Sequence, residues 1–531
     1  FGTTGYGFLN YLNGIFIDME NAAAFDAIYS RFIRSKMNYQ DLVYEKKKLI
    51  MEVSMSGEVN ALGHRLSRLS EKNRHTRDFT LRSLTTAIAE TIACFPVYRA
   101  YVTSCGVNER DRRYVEQAVS RAKRKNPAMS ATIFDFLQRV LLLQHPEDSP
   151  EEDKREWLDF VMKFQQVTGP VMAKGLEDTT FYVYNRFVSL NEVGGNPERF
   201  GIALDAFHGQ NIERAKNWPY SLLATSTHDT KRSEDVRARL NALSEIPDEW
   251  KERVARWARM NRKNKGMVDG RWAPDRNEEY LLYQTLVGAW PVHEMAERGR
   301  EVFRGRIRDY MIKAAREAKV KTSWISPNGP YEEALSKFVD GILSNPVFVD
   351  DLVAFEEPVS YFGMINSLSQ TLLKIMSPGA PDFYQGTEIW NFSLVDPDNR
   401  RPVDYALRKK MLEELKKKAT PSGPDLPAFL AGLLQNWKDG SVKLYVTWKA
   451  LNYRKERSFL LMEGTYLPMI SEGGRKDHVC AFGRKRGEEE ILVIVPRFLS
   501  RVVKAGEEPF GKRVWNDSRG VLPEEAAGDR F

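Results

Sequence analysis

Thr227-His228-Asp229-Thr230-Lys231-Arg232-Ser233-Glu234 decides the reading of this chain. The octapeptide follows an apolar run, residues 220–225, that is short enough for a buried strand. A charged, helix-like segment from Ser233 to Leu240 comes after it. A polar cluster between the C-terminal end of a strand and a following helix is where barrel enzymes keep their catalytic groups. His228 and Asp229 would supply one proton donor and one carboxylate side by side. A capping role stands beside the catalytic one, because Asp229 or Thr230 could satisfy free N–H groups at the start of the next helix.

Composition narrows the function classes. A chain of 531 residues has room for roughly three to four domain-sized units, or for one large barrel with insertions. Its aromatic content of 11% provides rings that stack on sugar faces, although most such rings belong to cores. The net charge of +7 is small for this length. The basic runs Lys46-Lys47-Lys48, 121–125 and Lys416-Lys417-Lys418 read as solvated helix faces. No basic stripe is interleaved with aromatics, which argues against nucleic-acid binding. Cys94, Cys105 and Cys480 form no CxxC pair, and such sparse usage fits a reducing cytoplasm. The histidines are scattered, with no HExxH and no Cys/His cluster, so neither a metal nor a cofactor is expected. No apolar run approaches the ~20 residues of a membrane span, and no membrane partner is expected. The opening Phe1-Gly2-Thr3-Thr4 shows no signal-peptide pattern. With the ending at Phe531, it predicts a fragment or a processed chain.

Along the chain, residues 1–18 read as one strand with a loop. From about 20 to 165, apolar residues recur at helical spacing, as in Ile133, Phe134, Phe136, Leu137, Val140 and Leu141. Residues 245–375 read as helical again. A second functional-looking turn spans 377–388, where Tyr384 and Gln385 follow a Pro/Gly-rich bend. From about 440 the period changes to two. Residues 442–447, 479–483 and 490–495 read as strands of an antiparallel module. Trp218, just before the apolar run, reads as a core residue.

Several blocks together resemble one family. Residues 225–237, Gly2-Thr3-Thr4-Gly5-Tyr6, 172–179, Asn185-Arg186-Phe187 with 191–195, and 379–386 with 396–404 are similar, in order, to the motifs of the maltooligosyl trehalose synthases of the α-amylase clan. The resemblance implies an α/β fold: the C-terminal part of a (β/α)8 barrel with large helical insertions, followed by an antiparallel β domain. The implied segments are 1–20 (strand 6 region), 21–205 (helical insertion), 206–240 (strand 7 and the active-site loop), 241–368 (helical insertion), 369–435 (strand 8 and a helix) and 436–531 (β domain).

The reaction implied by the resemblance is an intramolecular transglycosylation. It converts the reducing-end α-1,4 bond of a maltooligosaccharide to an α,α-1,1 bond by a retaining mechanism. Asp229 would bind the hydroxyls of the reacting sugar, and His228 the same ring. Lys174 and Glu177, three apart on one helical face, would grip the glucose that turns, with Asp178 beside them. Lys231 would lie near the site's carboxylates, with Arg232 next to it. Tyr384 and Gln385 would line the pocket, and Tyr6 would stack on sugar. The resemblance also implies an α-glucan substrate and functional coupling to a trehalose-releasing hydrolase.

The chain departs from the family in two respects. The family carries Asp where this chain has Gly7. The clan's Gly-x-Arg-x-Asp-His nucleophile context and its acid/base Glu are not found. The nearest look-alike, residues 200–208, lacks the Arg and reads as a helix leading into the strand-7 motif. The segment alone is therefore expected to be inactive. A non-catalytic glucan-binding descendant and an α-glucan hydrolase of the same clan are the alternatives.

Overall fold

The computed structural model describes residues 4–419 and 426–521. Gly2 and Thr3 of the opening block, and residues 522–531 of the expected β domain, lie outside them. The described chain is mixed helix and sheet, with helix predominating, and it divides into two compact units.

One unit comprises Lys36–Tyr184 and Glu317–Val320. Its helices Tyr39–Val53, Ser56–Glu71, Leu81–Ala93, Glu109–Lys125, Ala131–Leu141 and Glu151–Met172 follow the apolar spacing of the sequence. Leu66, Leu84, Ile88, Val119, Phe134, Leu137 and Phe160 close a common core. Asn38, Thr80 and Asn108 start three of these helices by accepting a bond from the N–H three residues on. Lys47 corrects the expectation that its lysine run is solvated. It is 3% exposed and donates to the Phe95 carbonyl at 2.8 Å. Burial pushes its ammonium down to about 8.

The other unit comprises Phe1–Ser35, Asn185–Arg316 and Lys321–Phe531. The strand expected within 1–18 is instead the helix Tyr6–Gly14. Phe8, Leu9 and Leu12 share its buried side, a spacing of 3.6 that the short apolar run concealed. Gly5 precedes it at φ 88, and a Cβ there would lie 2.6 Å from the Ala224 backbone nitrogen. Only glycine allows this left-handed turn to press against the strand end. The apolar run forms the strand Leu222–Leu223, which pairs in parallel with Ala380–Pro381. Trp218, expected in the core, is half exposed, since it follows the last turn of the helix Leu204–Asn217.

At the C-terminal side, Thr465–Pro468, Val479–Arg486 and Glu489–Pro496 form an antiparallel sheet with Val479–Arg486 in the middle. Cys480, Phe482, Val493 and Val495 meet Phe8, Leu12, Leu223 and Leu373 in one core. The expected strand at 442–447 is instead part of the helix Ser441–Glu456. Its buried residues Val442, Lys443, Leu444, Thr447 and Ala450 recur at helical spacing. Among the described residues, no helix is long and apolar enough to cross a membrane.

Candidate functional site

The helix Glu234–Leu243 forms the base of the site, and all ten of its residues are buried. Asp229 and Thr230 do not cap it. The helix starts beyond them, and the Glu234 N–H donates to the Ser226 hydroxyl at 2.8 Å. Glu234 and Asp235 point inward. Lys443 Nζ donates to Glu234 Oε1 at 2.8 Å and to both Asp235 oxygens at 2.9 Å. Lys374 Nζ donates to the Thr225 hydroxyl at 2.7 Å and lies 3.7 Å from Glu234 Oε2. Burial opposes ionisation of Glu234, yet Lys374 and Lys443 outweigh it and hold its carboxyl down to about 2. Burial, helped by the charge of Glu234, pushes Asp235 the other way. Both of these cations, Lys374 and Lys443, come from far along the chain.

The loop above this base folds on itself. Thr230 Oγ1 donates to the Thr227 carbonyl at 2.9 Å and accepts from the Thr227 N–H at 3.2 Å. The Asp229 N–H donates to Thr227 Oγ1 at 3.1 Å. His228 and Asp229 are thereby left outward. Their side chains are 58% and 60% exposed, with His228 Nε2 3.2 Å from Asp229 Oδ2.

Other expected residues gather around this pair. Tyr6 OH lies 3.1 Å from Thr227 Oγ1. Asn399 Nδ2 donates to the His228 carbonyl at 3.0 Å, and Tyr384 OH donates to the Asn399 carbonyl at 3.1 Å. Gln385, beside Tyr384, is exposed. Asp398, which precedes Asn399 in the chain, takes a two-pronged bond from Arg306 at 2.8 Å. Burial opposes ionisation of Asp398, but Arg306 and Arg401 keep its carboxyl below the usual range. Lys231 and Arg232 are buried, and Arg232 Nη2 donates to Tyr310 OH at 2.8 Å.

The sequence reading missed Glu192, although it lies in one of the matching blocks. Its carboxylate accepts from the N–H of Lys231 at 2.7 Å and of Arg232 at 3.2 Å. It also accepts from Arg237 Nη1 at 3.1 Å. A lone acidic residue ahead of a glycine turn carries no local signal for such a task. Arg237 was concealed by the solvated look of its helix.

Lys174, Glu177 and Asp178 belong to the other unit. They lie on a π-helical turn, Ala173–Thr180, that follows a proline-containing helix. Lys174 Nζ meets Asp178 Oδ2 at 2.7 Å. Glu177 is 7% exposed and accepts from Tyr98 OH. The wider winding turns the fourth residue, rather than the third, toward Lys174. Turns of this kind recur at functional sites.

The look-alike at 200–208 leads into the helix Leu204–Asn217, as expected. His208 there lies 2.7 Å from Tyr466 OH, and burial pushes its imidazole down to about 4. A cavity of about 970 Å³, lined by Trp290, His293, Arg300, Asp350, Glu357 and Trp437, includes none of the expected site residues.

The chain matches no family model. A curated protein of Mycobacterium tuberculosis strain H37Rv, provisionally named a maltooligosyl trehalose synthase, is 36% identical over 361 residues. The match covers 67% of this chain and 42% of that protein. The structure of maltooligosyltrehalose synthase from Arthrobacter ramosus aligns with a TM-score of 0.77 at 30% identity, covering 97% of this chain and 58% of that one. A Sulfolobus tokodaii structure, described as a hypothetical maltooligosyl trehalose synthase, aligns with a TM-score of 0.70 at 33% identity. It covers 93% of this chain and 57% of its own. The chain thus spans under half the length of the curated relatives and somewhat over half that of the solved ones. Over the part it shares with them, the chain is similar in sequence and in fold to the maltooligosyl trehalose synthases.

Proposed function

We propose that this chain carries the sugar-holding part of a maltooligosyl trehalose synthase, which isomerises the reducing-end α-1,4 bond of a maltooligosaccharide to α,α-1,1. The observation that carries this reading is the outward-facing pair His228 and Asp229, on a loop that follows Leu222–Leu223, the strand paired in parallel with Ala380–Pro381. That strand pair fits the last two strands of a (β/α)8 barrel. The three-stranded sheet near the C-terminus fits the antiparallel β domain that follows such a barrel.

In this reading Asp229 accepts hydrogen bonds from the hydroxyls of the reacting sugar and favours its distortion toward an oxocarbenium-like state. His228 donates to the same ring. Tyr6, Tyr384 and Gln385 line the approach. Lys174, Glu177 and Asp178 grip the released glucose while it turns. Lys231 and Arg232 form the buried cationic foot of the loop. Water must be kept from the intermediate for isomerisation to prevail over hydrolysis. The nucleophilic Asp and acid/base Glu contexts are not found in this sequence, so turnover requires those two carboxylates from elsewhere. Coupling to a trehalose-releasing hydrolase follows from the same product.

The test is incubation of maltopentaose with this chain, measuring reducing ends and free glucose. The chain alone should leave the reducing-end content unchanged. Supplying the sequence that contains the two missing carboxylates should make reducing ends disappear without glucose. Asp229→Asn should abolish that gain. Glucose release by the chain alone would favour the hydrolase reading. Failure of the supplemented mixture to consume reducing ends would favour a glucan-binding descendant.

A further inference from the structure

We infer that Glu192 and Arg237 act as a clamp that fixes the His228–Asp229 loop, making them positioning residues for sugar binding; this rests on the sugar-holding role proposed for that loop. The side chains of His228 and Asp229 are mostly exposed, so packing does not hold them. Their placement depends on the backbone beneath. That backbone is tied at both feet to one buried ion pair.

On the outgoing side, Glu192 takes the N–H groups of Lys231 and Arg232, one on each oxygen. On the incoming side, Arg237 Nη2 donates to the Thr225 carbonyl. Arg237 Nη1 donates to the Arg232 carbonyl and to Glu192 Oε2, joining the two feet. The Val193 N–H adds a fourth bond to the carboxylate at 2.9 Å. The Glu192 and Arg237 side chains are 1% and 2% exposed.

A buried ion pair generally adds little stability over a well-packed apolar pair of the same size. What this pair supplies is direction. The four groups named around Glu192 are all donors, and only an ionised carboxylate accepts from all of them without presenting a hydrogen of its own. An amide at this position would set N–H against N–H and release one foot. Lysine at 237 would lose the planar fork that reaches two carbonyls and a carboxylate at once.

Hydrogen–deuterium exchange on the full chain, with and without maltopentaose, tests the clamp in Glu192→Gln and, separately, Arg237→Lys. In each variant residues 226–232 should exchange about tenfold faster, while the strand Val479–Arg486 keeps its protection. Maltopentaose should bind about tenfold more weakly. Glu192→Asp, which keeps the charge, should recover part of both. Unchanged exchange in the loop, or an increase spread evenly over the unit, would overturn the clamp. If maltopentaose protects no part of the loop in the unsubstituted chain, the sugar-holding role fails instead. The exchange contrast between variants still decides the clamp.

Discussion

The helices Glu109–Lys125 and Glu234–Leu243 look alike as sequence, since both open on acidic residues and carry arginines throughout. Their surroundings differ. The first buries only one stripe, in which Val115, Ala118, Val119 and Ala122 face its core, and leaves most of its charges in water. The second is buried along its whole length. Each of its charges is answered by a residue far away in the chain: Glu234 and Asp235 by Lys443, Arg237 by Glu192 and Arg239 by Glu356. Charge content therefore does not report exposure. In the buried helix the charges are tolerated because partners that are themselves almost wholly buried answer them.

The largest effect separating the two helices should come from Lys443→Met. This change leaves Glu234 and Asp235 buried with Lys374 as their remaining named cation, and should cost about 3–5 kcal/mol in urea unfolding followed by tryptophan fluorescence. A loss under ~1 kcal/mol would mean that the network relaxes or admits water, and the contrast between the helices would collapse.

Glu245, two residues beyond the buried helix, sharpens the comparison from its other end. Burial pushes its carboxyl up to about 7, although bonds from Ser500 oppose the shift. A carboxyl raised in the folded state favours folding below its unfolded pKa. That contribution is lost as pH rises from about 4.5 through about 7. Glu245→Gln should therefore match the unsubstituted chain at pH 4 and exceed it by roughly 2–3 kcal/mol at pH 8. Equal stability at both pH values would show that the carboxyl is not held neutral.

Gly363 probes how closely the buried helix is packed. A Cβ there would come within 2.6 Å of the Arg239 Cα, which is backbone and yields little. Gly363→Ala should cost about 1–3 kcal/mol by thermal unfolding. The smallest effect is expected on the solvated helix. Lys123 pairs with Asp135 in water, and Lys123→Ala should change stability by less than ~0.5 kcal/mol. A larger loss would show that this helix, too, depends on its charges.

What the sequence made legible follows the same division. The helices of the Lys36–Tyr184 unit could be read because residues such as Phe134, Leu137 and Leu141 recur at helical spacing. The strands Val479–Arg486 and Glu489–Pro496 were legible from their apolar runs between turn residues. Residues 442–447 misled because Val442, Leu444 and Val446 alternate over too short a window. The buried Lys443 between them looks like a solvent-facing residue until Glu234 and Asp235 are placed beside it. Within the site, the His228–Asp229 loop was visible as local chemistry between a strand and a helix. Glu192, Asn399 and Lys374 were not visible, because each acts on that loop from a separate segment. The shared face of Lys174 and Glu177 was drawn on an α-helical wheel, whereas Ala173–Thr180 winds as a π-helical turn that brings Asp178 to Lys174.

The Lys443 contact also bears on where such a chain can be cut and rejoined. A plausible seam would lie near residue 440, where the pattern of the sequence shifts. Severing the chain there would strip the cation from two anions beneath the candidate loop, so the segment beginning at Ser441 is not an interchangeable appendage. Chimeras with relatives should tolerate exchange of that segment only when the incoming sequence brings an ammonium to the same place. In lineages that have lost it, Glu234 and Asp235 should have changed too.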